Sequence, residues 1–592
     1  WGLLTGIALG AALGSKTSGF FPMGIVGLLF ASYALEALWH GHNGHSLKAL
    51  WKAAFPWGMR LLQVVGIALG VLWALYRFEF RPMPGAQIPL PFTTHWIIWQ
   101  ELSTHLQEGH IAYLMGKIGY TGWTAYYPVT FLLKTPLPFL LLASLALAAS
   151  LRSLPRSLWQ RRALWLVVFL YSLAAVTSTI DIGYRYLLII LPFLYVLLGS
   201  LATTLKHKAH IIIALAALIW ASAGTLLSFP HYLAFFNELA GGPQGGSRYL
   251  VDSNLDWGQG FIALKTWLDE QKIEGPLYLS YYTYTDPALY GLDYTPLPPA
   301  RHAPDTLAHR FNPDPGLYAL SITPRQGVMI ADPNTYDWFR HRSALATPGH
   351  AIAVYDVPVQ DPQPGWVAQC SAPFQPLSTE EIQEGFGIAD LRQVSFDCSS
   401  SWVYPEGIDR PGWYALSREA VVGVNSFTQS RLDEARLSYE QSEFALYEQQ
   451  VSSTKPQYSL EGEIEIGALR FLGYTIDGSE PLNPGTKLEV VTYWEVKERC
   501  DRPLSIMLHL TSPDGIPVSV GDGLGFPIDS WQVGDVFLQA HRFEVPATAA
   551  VGTSYTLNLG AYWLDDLSRW EIEHDGIVEG NQILLEIHSE TE

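Results

Sequence analysis

The sequence predicts a multi-domain protein in which a polytopic α-helical membrane domain is followed by an α/β domain and a C-terminal antiparallel β-sandwich of jelly-roll type. Three observations support this prediction: long apolar segments in the first 230 residues, short strands and helices after Arg248, and strand-like segments from Glu463 onward. A length of 592 residues fits several domains. We expect four, at residues 1–230, 245–358, 365–455 and 460–592.

Charge divides the chain in the same way. Residues 1–227 contain 15 of the 36 Lys and Arg residues but only 5 of the 55 Asp and Glu residues, which leaves 21 basic and 50 acidic residues in the remainder. The formal net charge of −19 therefore averages a basic part and an acidic part. Nucleic acid is not expected as a partner, because phosphate contacts need clustered Lys and Arg on the soluble surface.

Seven apolar segments precede residue 230, and a helix needs about 20 mostly apolar residues to cross a bilayer. The predicted spans are Trp1–Gly14, Gly19–Trp39, Pro56–Tyr76, Tyr127–Ser150, Ala163–Ile180, Tyr184–Leu205 and Ala209–Phe229. The first residue, Trp1, lies inside an apolar run, so we expect that further sequence precedes it.

Basic residues in short loops predict the orientation of these spans, since Lys and Arg favour the cytoplasmic side. They cluster in three alternate connections, as Lys48, Lys52 and Arg60, as Arg152, Arg156, Arg161 and Arg162, and as Lys206 and Lys208. Those connections are expected to be cytoplasmic. The sequence thus predicts a multi-pass protein of the cell membrane with its C-terminal domains on the extracytoplasmic side.

Ionisable side chains stand at the external ends of several predicted spans: Lys16, Lys134, Asp181 and Arg185. Such groups are costly in a membrane unless they are paired, hydrated or functional. One interpretation gathers all four around a single cavity, where an Arg fork and Lys point charges bind a phosphate. The other is a local Asp181–Arg185 ion pair with lysines that reach toward water. The sequence leaves both open.

Three segments resemble the bacterial relatives of dolichyl-phosphate-mannose protein mannosyltransferases, which form glycosyltransferase family 39. They are GWTAYYPVTFLLKTPLP (Gly122–Pro138), IDIGYRYLLIILPFLYVLLG (Ile180–Gly199) and FPHYLAFFNELAGGPQGGSRYLVDSNLDWGQG (Phe229–Gly260). The resemblance covers about residues 1–355. It implies a GT-C membrane fold, in which a polyprenyl-phosphate sugar enters from the bilayer and is used on the outer face.

The resemblance also implies roles for residues. Arg185 and Lys134 would contact the donor phosphate, and Lys16 joins them as the third cation of the predicted cluster. Supporting side chains are expected to be Asp181, Tyr184 and Tyr127. In this family the catalytic carboxylate lies in a first external loop, which we expect upstream of Trp1, so the chain as it stands is not expected to catalyse transfer. We also expect Arg185 to keep its neighbour Asp181 ionised.

Inverting sugar transfer needs a base for the acceptor hydroxyl and positive groups for the departing phosphate. The expected substrate is therefore a polyprenyl-phosphate sugar, with no further cofactor. The expected partners are membrane lipid, the lipid-linked sugar, and a protein or glycan acceptor. The alternative function is a non-catalytic membrane anchor or scaffold that displays extracytoplasmic domains for cell-surface assembly.

Asp252, Asn254 and Asp256 have the first three spacings of a calcium-binding loop, but Trp257 occupies the position that needs glycine. No metal site is predicted, here or at the cysteines, which lack Cys-x-x-Cys spacing. These polar side chains either cap the following helix and tie the turn or, together with Trp257, contact the acceptor near the membrane face. The sequence allows both interpretations.

The soluble half contains Cys370, Cys398 and Cys500. Cys370 and Cys398 form a disulfide if their side of the membrane is oxidising, and otherwise all three are buried thiols. The predicted sandwich also contains aromatic side chains that either stack on sugars or fill the core. They are Trp494, Trp531, Tyr562, Trp563 and Trp570.

Overall fold

The computed structural model describes residues 1–16, 19–40, 47–85, 88–152, 162–199, 208–449, 455–477, 482–547 and 554–587. These residues form two compact units. The first comprises residues 1–303, 319–331 and 345–354, and the second comprises residues 304–318, 332–344 and 355–592. The predicted boundary between residues 230 and 245 thus lies inside the first unit.

Helices make up most of the N-terminal part of the first unit, and most of them are apolar. They are Gly2–Ser15, Phe20–His40, Leu47–Leu75, Thr93–Glu108, Tyr126–Lys134, Leu137–Arg152, Arg162–Val176, Leu191–Gly199 and Lys208–Leu227. Two small hairpins lie between them, formed by Phe80–Pro82 with Pro89–Pro91 and by Ala112–Leu114 with Lys117–Gly119. All seven predicted spans therefore contain helix.

Two of the helices are long and apolar enough to cross a membrane, over Phe20–Trp39 and Ala54–Leu75. A third candidate exists if the bent pair Tyr126–Lys134 and Leu137–Leu145 is counted as one span. Only 6% and 17% of the residues in the apolar stretches of the first two are buried inside the structure. This exposure suggests membrane association, whereas the predicted polytopic arrangement is not established by helix length.

The fourth and sixth predicted spans are not straight helices. Tyr127–Ser150 bends by 110° between Lys134 and Leu137, because Pro136 lacks an amide donor and restricts the residue before it. Tyr184–Leu205 begins as a 3₁₀ turn, and its helix starts only at Leu191. Residues 153–161 and 200–207, which include basic residues used to predict orientation, lie outside the described residues.

A glycine stripe brings the first and third helices together. Gly6, Gly10 and Gly14 are spaced four residues apart on Gly2–Ser15. A Cβ at Gly6 would lie 2.7 Å from Cβ of Ile67, and one at Gly10 would lie 2.6 Å from the carbonyl oxygen of Ala68. Small residues at this spacing allow close helix packing of the kind found in membranes.

After the helices, the first unit contains short turns and the helix Gly260–Gln271. A four-stranded sheet has the order Tyr294–Leu297, Leu277–Ser280, Gly316–Ser321, Ile352–Val357, of which residues 316–318 and 355–357 are assigned to the second unit. Its first two strands are parallel. Short strands were predicted after Arg248, and apolar runs such as Gly316–Ser321 are typical of strands buried on both faces.

The second unit begins with a five-stranded sheet in the order Arg392–Phe396, Trp366–Cys370, Gly412–Ser417, Phe444–Glu448, Arg436–Glu440. Its helices are Thr379–Phe386, Arg418–Val422 and Ser426–Glu434. Cys370 and Cys398 form a disulfide with a Cα–Cα distance of 5.3 Å, because Cys370 ends one strand and Cys398 follows its parallel neighbour.

Two antiparallel sheets form the sandwich-like C-terminal region. The larger has the order Ser401–Tyr404, Val536–Glu544, Lys487–Val496, Leu469–Asp477, Ile464–Ile466, Ile572–His574, Ile577–Gly580. The smaller has the order Pro517–Val520, Leu504–Thr511, Thr556–Trp563, Ile583–Leu585. The strand Ser401–Tyr404 comes from the segment predicted as a separate third domain.

The sandwich core contains most of the aromatic side chains considered for sugar binding. Trp494, Trp531 and Trp570 are buried, as the second of the two alternatives, core filling, requires. Trp563 is half-buried, and the guanidinium of Arg502 lies 4.6 Å from its ring centre. The three buried tryptophans therefore fill the core between the sheets and do not face the solvent.

Candidate functional site

Two turns of the first unit pack directly on each other. Gly183, in the turn before Tyr184, has φ 115°, and a Cβ there would lie 2.6 Å from the hydroxyl oxygen of Ser253. That hydroxyl donates to the carbonyl oxygen of Ile182. The conformation and the space both require glycine at position 183. The IDIGYRY and VDSNLDW segments therefore form one site.

Asn254 connects this site to a helix. Its Oδ1 accepts a hydrogen bond from the Tyr184 amide at 2.9 Å, and its Nδ2 donates to the Tyr126 hydroxyl at 2.9 Å. The side chain is almost fully buried, with 1% exposure. A buried amide whose donors and acceptor are all used holds its neighbours in fixed positions. The acceptor-side role predicted for Asn254 thus has a competing structural one.

Lys134 is buried at the end of the same helix. Its Nζ donates to the carbonyl oxygens of Leu233 at 2.6 Å and Asn254 at 2.5 Å, and it lies 4.4 Å from the ring centre of Phe236. A lysine ammonium has three N–H donors. One therefore remains for a further partner.

Arg185 has different surroundings. Its side chain is exposed, and its guanidinium carbon lies 5.4 Å from the ring centre of Trp257 and 5.8 Å from that of Tyr186. In the ranges that the structure describes, it forms no ion pair with a carboxylate. Its donors are consequently available to a ligand.

Lys134 and Arg185 line one cavity of about 480 Å³. Polar lining comes from Tyr184, Ser253 and Tyr232. Apolar lining comes from Leu188, Leu191 and Tyr195, on or next to the helix Leu191–Gly199. The cavity thus combines cations at one part with an apolar wall at another.

Lys16 lines a second cavity of about 210 Å³ together with Tyr127 and Tyr186. Its Nζ lies 4.7 Å from the centre of the Tyr186 ring, which Arg185 also approaches. The predicted cations are therefore near one another but do not share a single cavity. Tyr127 donates its hydroxyl to the Ile180 carbonyl oxygen at 2.7 Å.

Asp181 is buried beneath the loop before the helix at Tyr126. Its Oδ2 accepts the Trp123 amide at 2.6 Å, and Oδ1 has no hydrogen-bond partner among the described residues. Burial raises its pKa to about 6. Of the two interpretations of these charges, the local Asp181–Arg185 ion pair is not formed, so Arg185 does not hold Asp181 in its ionised form through a contact.

Asp252 and Asp256 differ within one turn. Asp256 accepts the Gly258 amide at 3.0 Å and the Ser321 hydroxyl at 2.9 Å, so it ties the turn before the helix Gly260–Gln271. Asp252 has φ 58° and an Oδ1 without a partner in the described residues. Burial raises the pKa of Asp252 to about 6, opposed by the Ser253 amide and by Arg185.

Trp257 is 55% exposed and forms the aromatic surface beside Arg185. Five hydroxyl-bearing residues that line the cavity were not predicted from the sequence: Tyr195, Thr225, Ser228, Tyr232 and Ser253. Single hydroxyls in or beside apolar segments give no distinctive pattern, although Ser253 stands inside the predicted turn. In the described part of the chain no three His, Cys, Asp or Glu side chains are grouped to hold a metal ion.

Comparison with protein-family models, with curated proteins and with solved structures finds no match to this chain. The resemblance to glycosyltransferase family 39 therefore stays a prediction.

Proposed function

We propose that the cavity at Lys134 and Arg185 binds the phosphate of a polyprenyl-phosphate sugar, and that the chain serves a membrane glycosyltransferase acting on an extracytoplasmic acceptor. The observation that supports this function is that the Arg185 guanidinium, which has no ion-pair partner among the described residues, lines the same cavity as the apolar side chains of Leu188 and Leu191. A lipid phosphate needs both features, since its head is anionic and its tail is hydrocarbon.

The two cations contribute differently. The Arg185 guanidinium offers a planar fork of N–H donors that matches two phosphate oxygens. Lys134 is held by two carbonyl oxygens and offers one remaining N–H. When the sugar–phosphate bond breaks, the leaving phosphate gains negative charge, which both groups stabilise.

The exposed apolar helices and the glycine stripe on Gly2–Ser15 support a membrane location in this proposal. In this proposal the seven apolar segments form a multi-pass membrane domain, and the cavity opens at the side predicted to be extracytoplasmic. The prenyl tail lies along Leu188, Leu191 and Tyr195, which the cavity shares with the helix Leu191–Gly199.

Arg185→Ala tests the proposal, because it removes the cation and leaves no buried polar group without its hydrogen-bond partner. We expect the affinity for phosphate to fall by about 10- to 100-fold, which is the effect of losing a hydrogen bond to a charged group. Sugar transfer from a radiolabelled prenyl donor, measured in membranes carrying the full-length protein, falls in parallel.

Arg301→Ala is the matched control, since Arg301 is an exposed arginine of the same unit that does not line the cavity. It should leave binding and transfer unchanged. Transfer at an unreduced rate in Arg185→Ala would refute the assignment. Lys134→Ala is a poorer test, because it leaves two buried carbonyl oxygens without their donor.

A further inference from the structure

Two aromatic rings restrain the guanidinium of Arg185. Its central carbon lies 5.4 Å from the ring centre of Trp257 and 5.8 Å from that of Tyr186. Both distances are within the range of a cation–π contact. Among the described residues, no hydrogen bond or ion pair holds this guanidinium. The two rings are therefore the contacts that keep it in its position.

These contacts leave Arg185 able to bind a ligand. A cation over an aromatic face is attracted by the negative charge of that face, and the attraction uses none of its N–H donors. In the position that the rings support, Arg185 lines the cavity of about 480 Å³. A long side chain without such support must be ordered when the ligand binds, and this ordering reduces affinity.

Trp257 is fixed by its own turn. Its backbone amide donates to Oε1 of Gln259 at 2.7 Å. Its ring meets the ring of Tyr282 edge to face, with the centres 6.2 Å apart, and the Tyr282 hydroxyl donates to the carbonyl oxygen of Asp256 in the same turn. Trp257 is not among the residues that line the cavity. It is placed to support Arg185 without touching the ligand.

We propose that Trp257 is a positioning residue for the phosphate site, because its ring holds the Arg185 guanidinium at the cavity before the ligand binds. This inference rests on the proposed function of the cavity. Tyr186 gives less support, since Nζ of Lys16 also lies 4.7 Å from the centre of its ring and an indole attracts a cation more strongly than a phenol does. Loss of the indole therefore lowers the affinity for phosphate.

The experiment measures the dissociation constant of methyl farnesyl phosphate, a phosphodiester, for the full chain in detergent micelles. Trp257→Leu removes the ring and keeps an apolar side chain. We expect the affinity to fall by about 2- to 10-fold, which is the effect of losing one cation–π contact and of ordering one long side chain. Trp257→Phe keeps an aromatic face, so its loss should be smaller.

A double-variant cycle separates positioning from a structural role. Trp257→Leu should cause no further loss when Arg185→Ala is already present, because the group that Trp257 positions is gone. Farnesol lacks the phosphate, so it should bind the wild type and Trp257→Leu equally well. The matched control is Tyr284→Leu, since Tyr284 is an exposed aromatic residue of the same unit that does not line the cavity. It should bind the phosphodiester as the wild type does.

Three results would overturn the inference: an equal loss from Trp257→Leu with and without Arg185, weaker binding of farnesol to Trp257→Leu, or a loss in Trp257→Phe as large as in Trp257→Leu. If the wild type does not bind the phosphodiester, or binds it equally well after Arg185→Ala, the proposed function itself is refuted. If binding depends on Arg185 but is unchanged in Trp257→Leu, only the inference about Trp257 fails.

Discussion

The buried ion pair between Arg392 and Asp535 gives the sharpest stability prediction for the second unit. The two side chains are 10% and 1% exposed, and both guanidinium Nη atoms lie 2.6 Å from the two carboxylate oxygens. Asp535 also accepts the amides of Glu406 and Gln532. Arg392→Met removes two of these four donors and leaves a carboxylate buried without its cation.

The expected cost is about 3–5 kcal/mol, since breaking a buried pair strands the partner charge. With a urea dependence of about 3 kcal/mol per M for a unit of this size, the midpoint falls by about 1–2 M. Hydrogen exchange of peptides from the second unit, followed at increasing urea in the full chain, measures this midpoint separately from that of the helices.

Two further variants test the cause of this cost. Arg418→Met breaks a half-exposed pair with Glu440 and should cost about 0–1 kcal/mol. The double variant Arg392→Met, Asp535→Asn should be more stable than Arg392→Met alone, because the stranded group is then neutral. A double variant no more stable than the single one would refute the explanation by stranded charge.

Two other predictions concern the second unit. Burial lowers the pKa of His541 to about 4, so the folded state resists protonation, and stability present above pH 6.5 is lost as the pH falls toward 4. Urea midpoints at pH 7 and pH 4.5 should show this loss, and His541→Gln should reduce it. Cys370→Ser removes the disulfide to Cys398, which closes a loop with a sequence separation of 28. It should lower the free energy of unfolding by about 3–4 kcal/mol, because the unfolded chain gains loop entropy. An unchanged urea midpoint would contradict this prediction.

Local patterns predicted the strands more accurately than the site. The strand Lys487–Val496 lies in the region from Glu463 onward that was predicted to form strands, because apolar residues fill it between two turn signals. Whether Trp494 is buried or exposed depends on which face of its sheet packs against the other sheet. The sequence of a single strand does not specify that face. Propensity identifies the strand, while packing decides what its aromatic side chains do.

The candidate site depends on contacts between distant residues, and these are absent from any local pattern. Asn254 binds Tyr184 across 70 positions and Tyr126 across 128. The sequence identified both turns by their charged and glycine residues, yet it left open whether Arg185 pairs with Asp181 or shares a cavity with the lysines. In the structure the turn that contains Asn254 packs against the turn that contains Tyr184 and Arg185, because Gly183 leaves room for the Ser253 side chain.

Charged residues at the ends of apolar helices are often functional. Whether such a residue can bind a ligand depends on how many of its hydrogen-bond donors are already used inside the protein. Lys134 and Arg185 meet the first description equally in the sequence. In the structure, two of the three N–H donors of Lys134 bind backbone carbonyl oxygens, whereas Arg185 rests against aromatic rings. Loss of activity after a Lys134 substitution would therefore follow from a broken cross-link as readily as from a lost phosphate contact. Only the Arg185 substitution separates ligand binding from folding.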